Sequence, residues 1–266
     1  MPALRRDWTA LVSRRPFIPD LIWDLDQGRW IPVRRQHDPG RWEALVAADD
    51  AITTQLDDGA DYAGPTPNRR AAWPTSSSTA PWLMNRMLDA LDPQVGMRVL
   101  EIGTGTGWNA AILAAAGTEV ISVEIDREVA GHARKALAAA GYGQVTVITG
   151  DGELGALGHG PFHRILASAA LRTIPYQWVE QSAEGGRIVA PYTGPLRQSG
   201  LAVLTVRDGV ADGTIIGEAA FMPMRGQRIH PMELKEYAIP EPGATIRITV
   251  TPEGQQVTAE PAPDAS

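Results

Sequence analysis

The sequence predicts an α/β fold in which a mostly parallel sheet lies between two layers of helices. Three observations lead to this prediction. Strand-like and helix-like segments alternate from about residue 76 to 190, a run of alternate glycines follows one of these strands, and acidic residues follow the next two strands. Such alternation is typical of parallel sheets covered on both faces, which bind ligands at the carboxyl ends of their strands. The residues at those strand ends are therefore the first candidates for a functional site.

Apolar runs mark the strands of this segment, and longer amphipathic runs mark its helices. The predicted strands lie near residues 98–102, 120–124, 145–149, 164–168 and 187–190. The predicted helices lie near residues 81–91, 108–116, 127–140 and 176–183. Beyond residue 195, two strand-like runs around Asp208, Gly209, Asp212 and Gly213 predict an antiparallel hairpin, and the segment 245–250 is a further strand candidate. The Pro-, Ala- and Glu-bearing end beyond about residue 256 is predicted to be mobile.

The N-terminal 74 residues are predicted to form a separate layer of short elements interrupted by proline. Six of the eight tryptophans lie within the first 82 residues, namely Trp8, Trp23, Trp30, Trp42, Trp73 and Trp82. Two interpretations of these side chains stay open, because large aromatics either pack a layer onto the main domain or form a wall that binds a peptide. The predicted divisions are an N-terminal layer (1–74) for substrate recognition, a central domain (75–225) and a C-terminal extension (226–266) with one or two strands.

Composition excludes several classes of chemistry. The 266 residues are 44% hydrophobic, which suits one full α/β domain with additions. The absence of cysteine excludes disulfides, thiolate metal sites and a cysteine nucleophile. A net charge of −7 argues against broad contact with nucleic acid. Because no signal-like core and no apolar run of about 18 residues occurs, we expect a cytoplasmic protein without a membrane partner.

The glycine-rich segment follows the strand at 98–102 and reads E-x-G-x-G-x-G from Glu101 to Gly107. Glycines at such a turn let a ligand approach the bare backbone at the start of a helix. A dinucleotide fingerprint would need glycine at position 108, where this chain has Trp108. The spacing instead resembles motif I of S-adenosylmethionine (AdoMet)-dependent methyltransferases. The resemblance implies AdoMet as cofactor, S-adenosyl-L-homocysteine as product and the Rossmann-like class I fold, a three-layer αβα sandwich.

Two acidic positions support a nucleoside ligand. Glu124 ends the next strand, roughly 20 residues beyond the loop, where an acid can bind ribose hydroxyls. Asp151 follows the third strand and resembles the family acid that approaches the adenine amine. Glu101 is expected to order the loop or to meet the methionine amine. The predicted cofactor-binding residues are Glu101, Gly103, Thr104, Gly105, Gly107, Asn109, Glu124, Ile125, Asp151 and Gly152.

Several methyl acceptors are excluded or disfavoured by what the chain lacks. Base amines are typically methylated by enzymes with an Asn- or Asp-Pro-Pro-aromatic element after the fourth strand, and this chain reads ASAALRTIP there. Cytosine C5 chemistry needs the missing cysteine. His159 and His163 stand without a nearby carboxylate pattern, so no metal site is predicted and both are interpreted as loop or structural residues.

The segments TSSSTAPWL, VLEIGTGTGWNAAILA, SVEID, TGDGELG and GGRIV together resemble the protein-L-isoaspartate O-methyltransferase family. That family places a Ser, in the pattern Ser-(Ala or Gln)-Pro, near the acceptor carboxylate, and this chain has Thr79 at the matching position. The resemblance therefore implies an AdoMet-dependent carboxyl O-methyltransferase with Thr79 and Ser78 as catalytic residues and Ser76, Ser77 and Trp82 as substrate-binding residues. An alternative interpretation is that the 75–79 segment is a polar loop that caps the helix beginning near Pro81.

The N-terminal layer and the phrase TTQLDDG resemble a subgroup from bacterial pathways to ribosomal peptide natural products, whose members methylate an aspartate that then closes to an aspartimide. The implied partner is a peptide or protein, with a cyclised ribosomal peptide as the form this subgroup uses. Protein-L-isoaspartate repair is the alternative. A tRNA adenosine methyltransferase and a noncatalytic AdoMet-binding protein fit the charge and motifs less well, and the oligomeric state stays open.

Overall fold

The computed structural model describes residues 6–62, 64–66, 68, 72–228 and 243–261. Within these residues the chain forms two β-sheets. A four-stranded antiparallel sheet comes from the N-terminal part, and a nine-stranded mixed sheet comes from the remainder. The alternating segment predicted from the sequence supplies the parallel half of the larger sheet.

The N-terminal layer is more regular than its proline-interrupted sequence suggests. Its sheet has the order β2-β1-β3-β4, with the strands β1 (Leu21–Asp26), β2 (Arg29–Arg34), β3 (Ile52–Leu56) and β4 (Pro74–Ser78). Helix α1 (Pro39–Ala47) starts with proline at its first position, and the Asp38 side chain accepts a hydrogen bond from Arg41 N. Because β4 ends at Ser78, the N-terminal sheet extends four residues beyond the boundary predicted at residue 74.

Only one of the six N-terminal tryptophans packs this layer onto the larger sheet. Trp8 belongs to the core beside α2 (Pro81–Leu91), and its Nε1 donates to Asp89 Oδ1 at 2.8 Å. Three others lie in small cores within the N-terminal layer, namely Trp23, Trp30 and Trp42. Trp73 is 62% exposed and Trp82 is 50% exposed, so the packing interpretation is wrong for these two residues.

The parallel half of the larger sheet has the order β7-β6-β5-β8-β9, and the antiparallel strands β10 to β13 follow outward from β9. The parallel strands are β5 (Arg98–Ile102), β6 (Glu119–Glu124), β7 (Thr146–Thr149), β8 (Phe162–Ala167) and β9 (Ser182–Gly194). The antiparallel strands are β10 (Arg197–Arg207), β11 (Val210–Ile216), β12 (Thr245–Thr251) and β13 (Gly254–Glu260). The remaining helices are α3 (Trp108–Ala115), α4 (Arg127–Ala139) and α5 (Tyr176–Glu180).

Two hydrophobic cores lie on opposite faces of this sheet. Val99 and Leu100, neighbours in β5, point to different cores because successive side chains of a strand alternate between faces. Helices α2, α3 and α4 cover one face, and the short α5 with adjoining loops covers the other. The prediction of helices on both faces is confirmed, and it places the carboxyl ends of β5, β6, β7 and β8 at one edge.

The structure corrects three predicted details, namely the end of α5, the position of the hairpin turn and the mobility of the chain beyond residue 256. Helix α5 ends at Glu180 rather than near residue 183, because β9 begins at Ser182. The hairpin turn lies at Asp208 and Gly209, whereas Asp212 and Gly213 lie within β11.

The end beyond residue 256 is not mobile up to Glu260, because β13 pairs with β12 along its whole length. Gln255 also bridges to the neighbouring loop, where its Oε1 accepts from Ile174 N and its Nε2 donates to Arg172 O. Residues 262–266 lie outside the described part of the chain. Of the helices in the described ranges, none is both long and apolar enough to cross a membrane.

Candidate active site

The glycine-rich loop joins β5 to α3 in the conformation that its glycines make accessible. Gly103, Gly105 and Gly107 have φ values of +88°, +54° and +86°, a left-handed region that favours glycine. A Cβ atom at position 103 would lie 2.8 Å from Ser168 Oγ, and one at position 105 would lie 3.4 Å from Ser77 O. The loop therefore passes close beneath β4, and only glycine fits at position 103 without a shift of its neighbours.

Glu124 ends β6 directly beside this loop. Its Oε2 accepts a hydrogen bond from Gly105 N at 2.9 Å, and its Oε1 accepts one from Asp126 N at 3.0 Å. The residue is 8% exposed, and burial raises the pKa of its carboxyl group above the ordinary value. Each carboxylate oxygen can accept a further hydrogen bond, so Glu124 can still hold a pair of donors from a ligand.

A cleft of about 720 Å³ opens at the carboxyl ends of β5, β6, β7 and β8. The predicted site residues that line it are Ser76, Ser77, Gly103, Gly105, Glu124, Ile125, Asp151 and Gly152. Asp151 is exposed there, and its Oδ1 accepts from Glu153 N at 3.0 Å. The cleft thus brings together the acids and glycines that sequence spacing assigned to a nucleoside ligand.

Glu101 lies beneath the loop and is fully buried. Its Oε1 accepts from Asn109 Nδ2 at 2.6 Å and its Oε2 accepts from Ser122 Oγ at 2.5 Å, while Ser122 also contacts Thr104. Burial raises the pKa of Glu101 to about 7. Glu101 does not line the cleft, so in this structure it orients Asn109 and the loop.

A smaller inner pocket of about 280 Å³ adjoins the cleft at Ser77, Gly103 and Gly105. Ser78, Thr79, Thr104 and Asn109 are the other predicted site residues that line it. Two polar atoms here, Ser78 Oγ and Asn109 Oδ1, are buried without a hydrogen-bond partner among the described residues. Because buried polar groups are normally satisfied, these two atoms are candidates for contact with a polar group bound in this pocket.

Besides Glu101, two predicted site residues line neither the cleft nor the inner pocket. Gly107 is the N-cap of α3 and packs against Leu137 rather than lining the cleft. Trp82 lies outside both the cleft and the inner pocket, with half of its surface exposed.

The interpretation of residues 75–79 as a capping loop is wrong. Pro74–Ser78 forms β4, which pairs with β3, and the N-cap of α2 is Ala80, whose side chain makes no capping bond. The cap comes from a distant residue instead, because Asp49 Oδ1 accepts from Trp82 N at 2.8 Å.

Sequence reasoning missed the segment 222–228, which closes one side of the cleft. Met222 O accepts from Ala170 N at 2.8 Å, and Met224 N donates to Ala170 O at 2.9 Å. These bonds place Met224, Arg225 and Arg228 on the cleft wall. No glycine or acid pattern marks this segment, and the arginines three residues apart are its only signal.

The arginines of this segment reach the N-terminal layer. Arg225 lies 2.8 Å from Asp58 and 3.2 Å from Asp126, and Arg228 lies 2.6 Å from Asp58. The hydrogen bond from Arg228 holds the pKa of Asp58 below its ordinary value. These ion pairs connect the segment 222–228 with Asp58 of the N-terminal layer and with Asp126 at the start of α4.

A groove of about 1260 Å³ runs between residues 16–21 and α4. It meets the cleft at Ser76 and Gly105. Phe17, Ile18 and Val129 contribute apolar walls. The groove thus gives a second, larger space that reaches the glycine loop.

The histidines that were interpreted as loop or structural residues are placed away from these spaces. His163 Nδ1 accepts from Arg98 N at 3.0 Å, which is a structural contact at the start of β5. In the part of the chain that the structure describes, no three His, Asp or Glu side chains are grouped so as to hold a metal ion.

Comparison with solved structures identifies the fold. A solved structure described as a protein-L-isoaspartate O-methyltransferase matches with a TM-score of 0.61 and 22% identity, over 82% of this chain and 77% of its own. A Plasmodium falciparum protein described as a β-aspartate methyltransferase (PCMT), solved with S-adenosyl-L-homocysteine, matches with a TM-score of 0.51 and 17% identity, over 56% of this chain and 76% of its own. At these identities the likeness shows the fold alone, which is the predicted class I methyltransferase fold.

Sequence comparison gives the family. The model of the protein-L-isoaspartate(D-aspartate) O-methyltransferase (PCMT) family matches residues 70–228, more than half of the chain, so the chain belongs to this family. A protein-L-isoaspartate O-methyltransferase of Aeropyrum pernix is 40% identical over 157 residues, which are 56% of this chain and 59% of the relative. One of Methanoculleus marisnigri is 38% identical over 147 residues, which are 55% of this chain and 66% of the relative. The chain therefore covers less than two thirds of the length of either relative.

Proposed function

We propose that this chain is an AdoMet-dependent O-methyltransferase that acts on an aspartyl or isoaspartyl carboxylate of a peptide or protein. One observation carries the proposal. The inner pocket holds two buried, unpartnered polar atoms, Ser78 Oγ and Asn109 Oδ1, beside Thr79, and it opens into the cleft that Glu124 lines. A single ligand with a nucleoside end and a polar amino-acid end would satisfy both spaces.

The residues present fit AdoMet, which would supply a methyl group on a positively charged sulfur. Glu124 would accept hydrogen bonds from the ribose diol through the lone pairs its amide donors leave free. Asp151, exposed in the cleft, would accept from the adenine amine. Asn109 Oδ1 would accept from the methionine amine, and Gly103 and Gly105 would allow close approach of the backbone.

The acceptor needs no general base. An aspartyl carboxylate has a pKa of about 3.9 and is already an anion at neutral pH. Because transfer brings a negative oxygen to a positive centre, charge is neutralised in the transition state, and a site that excludes water favours the reaction. Alignment is then the main task, and it can contribute up to roughly 7–11 kcal/mol.

Thr79 and Ser78 are the residues that we assign to this alignment. Both line the inner pocket at the point where it meets the glycine loop. The Thr79 hydroxyl would donate a hydrogen bond to one carboxylate oxygen and leave the other oxygen free to attack. Ser77, which lines both the inner pocket and the cleft, would contact the same substrate.

The substrate is proposed to be a peptide, with an aspartate in a modified ribosomal peptide as the particular acceptor. The resemblance of the N-terminal layer supports this choice, and the groove between residues 16–21 and α4 offers space for flanking residues. Repair of isoaspartyl protein is the second candidate, because the relatives carry that name.

Mass spectrometry with isotope-labelled AdoMet would test the proposal. Methylation followed by loss of methanol would leave an aspartyl peptide one water lighter than at the start, which identifies aspartimide formation. Methylation of isoaspartyl peptides but not of aspartyl peptides would identify repair. Transfer of the label to nitrogen, or to no peptide or protein at all, would contradict a carboxyl methyltransferase.

A further inference from the structure

Arg14 is a buried cation whose hydrogen bonds join the end of α1 and the following turn to Thr79, which lies in residues 75–82, here called the acceptor segment. The residue is 6% exposed, and its guanidinium group donates to four backbone carbonyls. The distances are 2.7 Å to Asp50 O, 2.6 Å to Ala48 O, 2.9 Å to Val46 O and 3.3 Å to Thr79 O. The planar guanidinium group of arginine can donate to several acceptors at once in a fixed geometry. A lysine ammonium group donates with a less fixed geometry.

Three of these carbonyls belong to the end of α1 and the turn that follows it. The last carbonyls of a helix lack partners within the helix, and a cation placed beside them also complements the helix dipole. The fourth carbonyl is that of Thr79, 65 residues further along the chain than Arg14. One side chain therefore fixes the position of the acceptor segment relative to the N-terminal layer.

The same turn holds the other end of the acceptor segment. Asp49 lies between the carbonyls of Ala48 and Asp50, and its Oδ1 accepts from Trp82 N at the start of α2. Arg14 thus holds Thr79 directly, and Asp49 holds Trp82 from the turn whose carbonyls, at Ala48 and Asp50, Arg14 also binds. If Arg14 is removed, both attachments lose their support.

Arg14 also lies beside the start of α3. Trp108 Nε1 donates to Val12 O at 2.8 Å, and the Arg14 guanidinium carbon lies 5.7 Å from the centre of the Trp108 ring. Residues 12–14 therefore contact both the segment that carries Thr79 and the residue that follows the glycine loop. Arg14 itself lines neither the cleft nor the inner pocket.

We propose that Arg14 is a positioning residue that sets Thr79 against the inner pocket, in register with the glycine loop. The assignment rests on the proposed function, because the consequence of positioning is methyl transfer. Arg14 lies outside residues 70–228, the part matched by the family model. The N-terminal layer would thereby take part in the reaction without touching the substrate.

The test compares Arg14→Met and Arg14→Lys with the neighbouring Arg15→Met. Arg15 is a matched control because it forms an ion pair with Glu43 on the surface, at 2.5 Å, and makes no contact with the acceptor segment. Three quantities are measured for each purified chain: the Kd for AdoMet by calorimetry, kcat and KM with the peptide substrate, and hydrogen exchange of the amides in residues 75–83 and 98–107.

We expect Arg14→Met to lower kcat at least tenfold, to change the AdoMet Kd less than threefold and to speed exchange in residues 75–83 but not in 98–107. Arg14→Lys should restore part of both losses, and Arg15→Met should match the wild type. If Arg14→Met does not fold, Arg14→Lys decides the question, with kcat at least threefold below the wild type.

The proposal is overturned if kcat of the folded variants equals that of the wild type, or if exchange rises equally throughout the chain. It is also overturned if the variants turn over more slowly than the wild type only at subsaturating AdoMet and match it when AdoMet is saturating. A wild type that methylates no peptide would contradict the proposed function instead, and the exchange data would still decide whether Arg14 orders residues 75–83.

Discussion

Thr79 carries a methyl group beside its hydroxyl at a position where the family pattern has serine. The β-branched side chain restricts χ1 to fewer rotamers and narrows the space available to an acceptor. In the described structure Thr79 faces the inner pocket together with Ser78, whose Oγ has no partner there. The hydroxyl is therefore expected to matter for alignment, whereas the methyl group is expected to affect which acceptor fits.

Thr79→Ala should lower the rate of the chemical step by about 10-fold to 100-fold, equivalent to roughly 1.5–3 kcal/mol for a hydrogen bond to a charged acceptor. The Kd for AdoMet should stay within twofold, because the hydroxyl is assigned to the acceptor. Single-turnover kinetics and calorimetry measure the two quantities, with Thr79→Ser as the control that keeps the hydroxyl. An unchanged single-turnover rate for Thr79→Ala would remove the assignment.

The buried carboxyl group of Glu101 is expected to make the free energy of unfolding fall as the pH rises. Burial raises its pKa from the ordinary value of 4.5 to about 7 in the folded chain. A raised pKa means that the folded state binds the proton more tightly than the unfolded state does. The stabilisation is therefore complete below pH 4.5 and is lost as the pH rises towards 7.

Relative to Glu101→Gln, the wild type should lose up to about 3 kcal/mol in free energy of unfolding between pH 4.5 and 7. Urea unfolding of both chains at half-unit pH steps measures this difference. Glu119→Gln, at the exposed start of the neighbouring strand β6, is the control and should follow the wild-type profile. Parallel profiles for the wild type and Glu101→Gln would show that the buried carboxyl does not titrate in this range.

At the scale of elements, the 222–228 segment and the N-terminal layer meet across the cleft. Asp58 binds both Arg225 and Arg228, and its side chain is 40% exposed. Ion pairs that are this exposed contribute about 0–1 kcal/mol and are screened by salt. We therefore expect these ion pairs to slow the release of a ligand from the cleft only modestly and to break readily.

Asp58→Asn should speed the dissociation of AdoMet about two- to fivefold at low salt, because it removes the partner that both arginines share. At about 1 M salt, where charges are screened within roughly 3 Å, the difference should vanish. Stopped-flow fluorescence measures the rates. The control is Asp26→Asn, which removes an exposed partner of Arg41 away from the cleft. Equal dissociation rates at low salt would contradict a closing role for these ion pairs.

At the scale of the whole molecule, the N-terminal layer is integrated with the larger sheet. Trp8, Val12 and Phe17 belong to the same core as α2 and α3. The strand that carries Ser76–Ser78 pairs within the N-terminal sheet although its residues belong to the family-matched part of the chain. The predicted three-part division stays a prediction. One core includes residues on both sides of the boundary at residue 74, and β12 continues the larger sheet beyond residue 225 by pairing with β11.

Trp8→Ala should lower the free energy of unfolding by about 3–5 kcal/mol, because it removes a large side chain from a packed core. Trp73→Ala should change it by less than about 0.5 kcal/mol, because Trp73 is 62% exposed. Denaturant unfolding of both variants measures the difference. Similar losses for the two tryptophans would show that Trp8 does not join the layers.

Local sequence patterns were sufficient to predict the parallel strands, the helices that follow them and the loop at Gly103–Gly107. These features depend on backbone conformation and on the alternation of apolar residues, which act between near neighbours. The positions of Glu124 and Asp151 in the cleft follow from strand order, because parallel strands bring their carboxyl ends to one edge.

Only the tertiary structure determined the contacts between distant parts of the chain. Arg228 and Asp58 are 170 residues apart, and Arg14 and Thr79 are 65 apart. The pairing of residues 74–78 with β3 and the end strand at 254–260 depend on partners that no local pattern identifies. Hydrogen bonds and ion pairs are short-ranged in space but independent of separation along the chain, so they become visible only once the chain is folded.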